Sequence, residues 1–330
     1  MGLISAAYGL GLSCKKWYYR TPKRLPAGVI SIGNLTLGGT GKTPAVISVA
    51  QEAKNRGLSV CILTRGYRGR TMNITFVSRG SGPLLSPAEA GDEACLMAEA
   101  LEGVPIVKGK DRYEAGLFAL DNLKTKPLFI LDDGFQHWKL FRDADVLLID
   151  ATNPFGNGKL FPEGRLREPL SAMNRAHIIV ITKSDMAQEG SVASITRTVR
   201  QYNQDAPLFT SSHRAAGLVT ARGESMPADS LQSKSIYAFC GIANPASFTS
   251  TLTYAGAAVR GLRAFRDHYI YTQKDIDEII SDAAGMEIIT TEKDLVKLKN
   301  LDIPENLRAL KVAFSVNGEF YDSLFTLVSL

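Results

Sequence analysis

The stretch SIGNLTLGGTGKTP, residues 31–44, constrains this chain more than any other. A short apolar run leads into it, Gly38, Gly39 and Gly41 fall close together, and Lys42-Thr43 closes it. Glycines let a backbone wrap close to a phosphate, free amides at a helix start point into the loop, and the helix dipole adds partial positive charge. A loop of this kind between a strand and a helix is an anion cradle. Gly38, Gly39, Thr40 and Gly41 supply its backbone, Lys42 reaches the β- and γ-phosphates, and the Thr43 hydroxyl ligates Mg²⁺. The strict pattern also asks for a glycine six residues before the lysine, and Thr36 stands there.

From Gly28 onward, short β-rich runs alternate with helical spacing. GVISIGN, LSVCILTRG, LFILDD, DVLLID and HIIVITKSD read as strands, most of them nearly continuous apolar runs, as strands buried on both faces are. Thr43 to Arg56, Pro87 to Leu101 and Asp111 to Leu123 read as helices between them. The alternation predicts an α/β fold with a P-loop NTPase-like, doubly wound, mostly parallel sheet, whose ligands gather at the carboxyl ends of the strands. Residues 215–234 change texture, with turn residues and little periodicity, and read as a linker or hairpin. A second series follows, with strands near IYAFCGI, EIITTEKD and ALKVAFSV. The expected division is a membrane-interface segment 1–26, a P-loop domain 27–214, the linker 215–234 and a smaller α/β domain 235–330. No repeat of solenoid length is visible.

The formal charge is +5, unevenly spread: no acid precedes Glu52, while Lys15, Lys16, Arg20, Lys23 and Arg24 crowd one stretch. Ahead of them GLISAAYGLGLSC is roughly two-thirds of the length needed to cross a bilayer. A secretory signal places its positive charge before the apolar run, not after it, and Ala6 breaks the myristoylation pattern. The order suits a helix lying in a membrane interface, with Trp and Tyr at headgroup depth and Lys and Arg meeting anionic lipid. The competing reading is a helix packed on the protein's own core. Nucleic-acid binding is disfavoured, because the basic excess lies beside an apolar segment rather than among interleaved aromatics. Cys14, Cys61, Cys95 and Cys240 show no paired or metal-ligand spacing and read as small buried apolar residues in a reducing compartment.

A phosphate loop of this class needs an acid at the end of a neighbouring strand to hold its metal. PLFILDDGFQH supplies Asp132 and Asp133, two adjacent carboxylates that repel each other in an apolar setting unless a cation lies between them. Thr182 to Asp185, TKSD, is either a guanine-reading box or a helix-entry turn. RGYRGR, residues 65–70, is either an anion-binding loop or a solvated one. GDE at 91–93 and DHY at 267–269 each carry a group able to act as a general base, or simply a cap or surface charge.

Taken in order, IGNLTLGGTGKTP, LTRGYRGR, AGDEACLMA, KDRYEAG, LDDGFQHWKLFRD, FPEGRLREPL, FCGIANPASF, FRDHYIYTQKDI and TTEKDLVKL resemble the tetraacyldisaccharide 4′-kinase family of lipid A biosynthesis. They run from residue 31 to about 298. The family's own loop lacks the strict first glycine, so Thr36 fits it. The resemblance implies a two-domain kinase that uses ATP and Mg²⁺ to phosphorylate the 4′-hydroxyl of an acylated glucosamine disaccharide 1-phosphate. It also implies work at the cytoplasmic face of the bacterial inner membrane, with an amino-terminal helix docked in that surface; no obligate protein partner is evident. Carried over by motif, Lys42 and Thr43 hold phosphate and Mg²⁺, Asp132 and Asp133 form the acidic metal-side pair, and Asp92 and His268 form a catalytic dyad. Arg112, Arg167 and Glu168 match further active-site positions. Because Asp92 precedes the linker and His268 follows it, the two domains are expected to close over ATP. A GTPase-like assembly factor or a partition-type nucleotide-binding protein is the competing reading, although Leu37 replaces the signature lysine of the partition class.

Overall fold

The computed structural model describes residues 3–67, 69–71 and 73–328, so Arg68 of the RGYRGR loop lies outside the described residues. The chain divides into two units, residues 1–212 with 314–330, and residues 213–313. The first contains α1 (Leu3–Tyr18), β1 (Val29–Asn34), α2 (Lys42–Asn55), β2 (Val60–Thr64), β3 (Thr75–Arg79), α3 (Pro87–Ala90) and α4 (Asp92–Ala100). It continues through β4 (Pro105–Lys108), α5 (Arg112–Asn122), β5 (Leu128–Asp132), β6 (Ala144–Asp150), β7 (Ile178–Thr182) and α6 (Ser191–Tyr202). Strand β8 (Leu208–Val219) carries the chain into the second unit. There follow β9 (Ser225–Met226), β10 (Ser235–Cys240), α7 (Pro245–Tyr254), β11 (Ala258–Ala264), α8 (Gln273–Ala283), β12 (Glu287–Thr291) and α9 (Glu292–Leu295). Strand β13 (Leu307–Val316) returns the chain to the first unit, which ends with α10 (Gly318–Thr326).

The sheet of the first unit runs β8-β7-β6-β1-β5-β2-β4-β3. All neighbours are parallel except β3 and β4. Its central strands are mostly apolar because both faces are covered. In β2 and β5, Ile62 and Ile130 join one core while Leu63 and Leu131 join another. In β6 and β7, Val146 and Val180 join the first core while Leu147 and Ile179 join a third. Helix α2 presents Ala45, Val46, Val49, Ala50 and Ala53 to the first core, a stripe at helical spacing.

Strand β1 lies between β5 and β6, and the chain leaves it through α2 toward β2, beyond β5. That reversal of direction opens a crevice at the carboxyl ends of the strands. In-register parallel pairing brings Ile32 beside Asp132 and Asp150 beside Thr182, so the ends of β1, β5, β6 and β7 share one edge.

Three features differ from the sequence expectation. The expected helix Pro87–Leu101 is broken at Gly91, whose φ of 93° favours glycine, and α4 therefore begins at Asp92. Short strands β3 and β4 carry too little pattern to stand out. Residues 314–330, assigned by sequence to the smaller domain, belong to the first unit: Phe320 and Leu324 enter the core shared with α2, and the Ser48 and Tyr321 hydroxyls lie 2.6 Å apart.

The second unit has its own parallel sheet, β11-β10-β12-β13, with β9 antiparallel to β8. Along β10, Ile236 and Ala238 face one core and Tyr237 and Phe239 the other. All four cysteines are free; Cys61, Cys95 and Cys240 are buried, whereas Cys14 is exposed on α1, contrary to expectation.

Candidate functional site

Gly41 caps α2 with φ 83°, a left-handed backbone that lets the loop turn sharply into the helix at Lys42. Gly38, Gly39 and Thr40 precede it, and Thr43 lies in the first turn. Lys42 Nζ donates to Asn34 Oδ1 at 3.2 Å and lies 3.6 Å from Asp133 Oδ1. The segment 160–168 runs alongside as a strap. Leu37 N donates to Arg165 O at 2.7 Å, Arg167 N to Leu35 O at 2.7 Å, and Arg165 Nε to Leu37 O at 3.1 Å.

The strap delivers Arg167, whose Nη1 donates to Asp133 Oδ2 at 2.7 Å. Lys42, Asp133 and Arg167 thus meet, although Lys42 and Arg167 lie far apart in sequence. Asp133 sits in a left-handed turn, φ 51°, immediately after β5, a conformation Asp tolerates better than most residues. Asp132, buried at the strand end, accepts a 2.9 Å hydrogen bond at Oδ2 from Thr64 Oγ1 of β2. Burial, then the Glu93 and Asp133 carboxylates, push Asp132 up to about 7. Burial also pushes Asp133 upward, but Lys42 and Arg167 outweigh it and hold the group at about 2.

Glu168 is buried and held by Arg175 through two bonds, Nη1 to Oε2 at 2.8 Å and Nη2 to Oε1 at 2.9 Å. Gln136 Nε2 reaches both Glu168 Oε1, at 3.0 Å, and Asn34 O, at 2.9 Å. Glu168 is therefore a brace tying strap, β1 and the Asp133 turn together. Arg112 begins α5 and is buried; burial lowers its pKa against the pull of Asp132 and Asp133. Its backbone N–H donates to His137 Nε2 at 3.3 Å, and burial followed by the Arg112 charge takes His137 down to about 3, a neutral acceptor at pH 7.

Asp92 is buried at the first turn of α4, and the influence of its neighbour Glu93 on Asp132 ties that helix start to the acid pair. His268 belongs to the second unit and Asp92 to the first, so the two residues of the expected dyad lie in different units. There His268 has φ 60°, its N–H donates to Gly241 O at 3.2 Å, and its Nε2 lies 3.6 Å from Asp267 Oδ2. Lys293 Nζ approaches Asp267 Oδ1 at 3.2 Å.

The acid pair suits Mg²⁺. Asp133 Oδ1 is buried without a hydrogen-bond partner, a second carboxylate adjoins it, and Thr43 offers a hydroxyl. A hard cation that keeps water and phosphate oxygens needs no more protein ligands than these. No cluster of three or more His, Cys, Asp or Glu able to hold a metal occurs among the described residues.

Helix α1 has two faces. On one, Ser5 Oγ donates to Leu160 O at 3.2 Å, Tyr8 OH donates to Arg167 O at 3.1 Å, and Lys15 Nζ lies 5.4 Å from the Trp138 ring centre. On the other, Leu10, Trp17 and Tyr18 are 69%, 71% and 75% exposed. The helix thus packs on its own unit and still shows an apolar stripe. No helix among the described residues is long and apolar enough to cross a membrane.

A glycine-rich turn between β1 and α2, with a lysine facing an acidic strand end, places this chain among the P-loop α/β proteins. The model of the tetraacyldisaccharide-1-P 4′-kinase family matches residues 1–329. The tetraacyldisaccharide 4′-kinase of Halothermothrix orenii is 38% identical over 96% of this chain and 89% of its own length. That of Desulfatibacillum aliphaticivorans is 38% identical over 98% and 90%. The crystal structure of LpxK from Aquifex aeolicus in complex with ATP superposes with a TM-score of 0.77 at 33% identity, covering 98% of this chain and 97% of that one. The chain belongs to the tetraacyldisaccharide-1-P 4′-kinase family.

Sequence reasoning named the loop, Asp132, Asp133, Arg112, Arg167 and Glu168, but not Asn34, Thr64, Gln136 or Arg175. Asn34, Thr64 and Gln136 lie within the quoted segments SIGNLTLGGTGKTP, LTRGYRGR and PLFILDDGFQH, where nothing local marks their partners; Arg175 lies outside every quoted segment. In TKSD, Asp185 is exposed, whereas Thr182 and Lys183 are buried against the phosphate loop.

Proposed function

We propose that this chain is an ATP-dependent tetraacyldisaccharide 4′-kinase of lipid A biosynthesis, transferring the γ-phosphoryl group of ATP to the 4′-hydroxyl of a tetraacyldisaccharide 1-phosphate. The observation that carries the reading is the family match along residues 1–329. The meeting of Lys42, Asp133 and Arg167 beside the loop agrees with it. The GTPase-like and partition-type readings are not favoured by that membership.

In this reading the amides of residues 38–43 and the Lys42 ammonium hold the β- and γ-phosphates and balance charge as the phosphoryl group moves. Asp132, Asp133 and Thr43 would hold Mg²⁺, which when bound neutralises phosphate charge. Arg167 keeps Asp133 ionised and aimed. The resemblance assigns Asp92 as the base that takes the proton of the sugar hydroxyl, a weak nucleophile, with His268 orienting it. Turnover then needs both units, while nucleotide binding needs the first.

The exposed stripe of α1 would seat the enzyme on the cytoplasmic face of the inner membrane. Each buried methylene of an acyl chain is worth about 0.8 kcal/mol, so an enzyme at the interface avoids extracting its substrate.

The test is to incubate purified protein with γ-labelled ATP, Mg²⁺ and tetraacyldisaccharide 1-phosphate in detergent micelles. Label in the lipid phase is expected. Hydrolysis to free phosphate alone, or transfer supported by GTP and not by ATP, refutes the reading.

A further inference from the structure

Two carbonyls of the phosphate loop are held from behind. Lys183 Nζ donates to Gly39 O at 3.0 Å, and Thr182 Oγ1 donates to Thr40 O at 3.0 Å. Lys183 is only 4% exposed, and Asp150 Oδ2, at the end of β6, neutralises its ammonium at 2.5 Å. Asp150 is itself fixed: its Oδ1 accepts from Thr152 N at 2.9 Å and from Thr152 Oγ1 at 2.6 Å. Lys183 has φ 56°, a left-handed backbone that a lysine keeps only where its surroundings over-determine it.

In a trans peptide the N–H points opposite to the C=O of the preceding residue. Holding the Gly39 carbonyl toward Lys183 therefore turns the Thr40 N–H to the other side. Holding the Thr40 carbonyl toward Thr182 does the same for the Gly41 N–H. These two amides immediately precede Lys42, where a loop of this type grips phosphate. We propose that Lys183, seated on Asp150 and assisted by Thr182, is a positioning residue for nucleotide binding, fixing two peptide planes of the loop so that their amides face the phosphates. This rests on residues 38–43 being the ATP phosphate site. Donors fixed in advance bind without the cost of reorganising the loop. The side chain that matters in the TKSD box is then its lysine, acting through the loop backbone.

The experiment compares MgADP affinity by titration calorimetry, KM for ATP against kcat, and thermal melting for the parent and three variants. Thr182→Val deletes one carbonyl clamp while keeping shape, Lys183→Met deletes the other, and Lys183→Met with Asp150→Asn removes the charge left behind. MgADP binding should weaken about 10- to 100-fold in both lysine variants and about 3- to 10-fold in Thr182→Val. KM for ATP should rise by a larger factor than kcat falls. The double variant should regain the parent melting temperature, since no unpaired charge stays buried, and yet keep the weak binding. A merely structural role predicts that affinity returns with stability. If Lys183→Met does not fold, the double variant and Thr182→Val decide. MgADP affinity within twofold of the parent in whichever of these fold overturns the proposal. A parent that binds no MgADP overturns instead the reading of the loop, and the proposal with it.

Discussion

Replacing Asp132 by asparagine should make the first unit more stable at high pH while abolishing phosphoryl transfer. Asp132 is lifted from 3.8 to about 7, first by burial and then by Glu93 and Asp133. A carboxyl raised in the fold binds its proton more tightly there than in the unfolded chain. Stability is therefore fully present below pH 4 and is lost as pH rises through 7. At about 1.4 kcal/mol per pKa unit, the full loss is on the order of 4 kcal/mol. The substituted amide would carry no charge, and its oxygen can still accept from Thr64 Oγ1, which now bonds Asp132 Oδ2 at 2.9 Å. The variant should thus match the parent near pH 4 and gain on it up to pH 8. A unit of this size moves by about 2–4 °C per kcal/mol, giving at most roughly 8–16 °C. The assay is thermal unfolding by circular dichroism in EDTA at pH 4.5, 6, 7 and 8. A melting difference that stays flat across pH, or a variant less stable than the parent at pH 8, refutes the reasoning. Adding Mg²⁺ should help the parent at pH 8 and leave the variant unmoved.

Arg175→Met should destabilise the first unit by about 3–5 kcal/mol, because it leaves the buried Glu168 carboxylate without its cation; pairing it with Glu168→Gln should recover most of the melting temperature, and a loss below 1 kcal/mol in denaturant titration counts against the brace. His268→Ala should lower kcat on the lipid substrate by about 10²- to 10⁴-fold with MgADP affinity unchanged in calorimetry; full turnover removes His268 from the dyad. Leu10→Glu with Trp17→Glu, both on the exposed stripe of α1, should reduce flotation with vesicles containing anionic phospholipid and raise KM for lipid more than for ATP; unchanged flotation removes the membrane seat.

Much of the first unit was legible because its cues are local. Strands such as VCILT and LFILD are apolar at every position but the last since both faces are covered, and the loop residues and the acid pair sit directly after such runs. The remaining site depends on what lies adjacent in space. Lys183 reaches Gly39 across 144 positions, and Gln136 reaches Asn34 across 102, and neither pairing leaves any periodicity behind. Asp92 was named by resemblance, but its place at a helix start follows from one glycine, Gly91, interrupting what reads as a continuous helical pattern. Residues 314–330 were misassigned because they continue the chain smoothly from β13; only tertiary packing, with Phe320 and Leu324 entering the α2 core, returns them to the first unit.

Helix α1 invites trimming by anyone who wants a better-behaved protein, since its outward side is greasy and it contributes no strand to the parallel sheet. Its inward side argues otherwise: the Tyr8 hydroxyl grips the main chain of the very residue whose guanidinium steadies Asp133. A shortened chain would lose both a foothold on lipid and a rivet in the strap, and slow turnover by such a preparation would not say which loss caused it. Recolouring the outer stripe with charge, and leaving Ser5 and Tyr8 in place, separates the two.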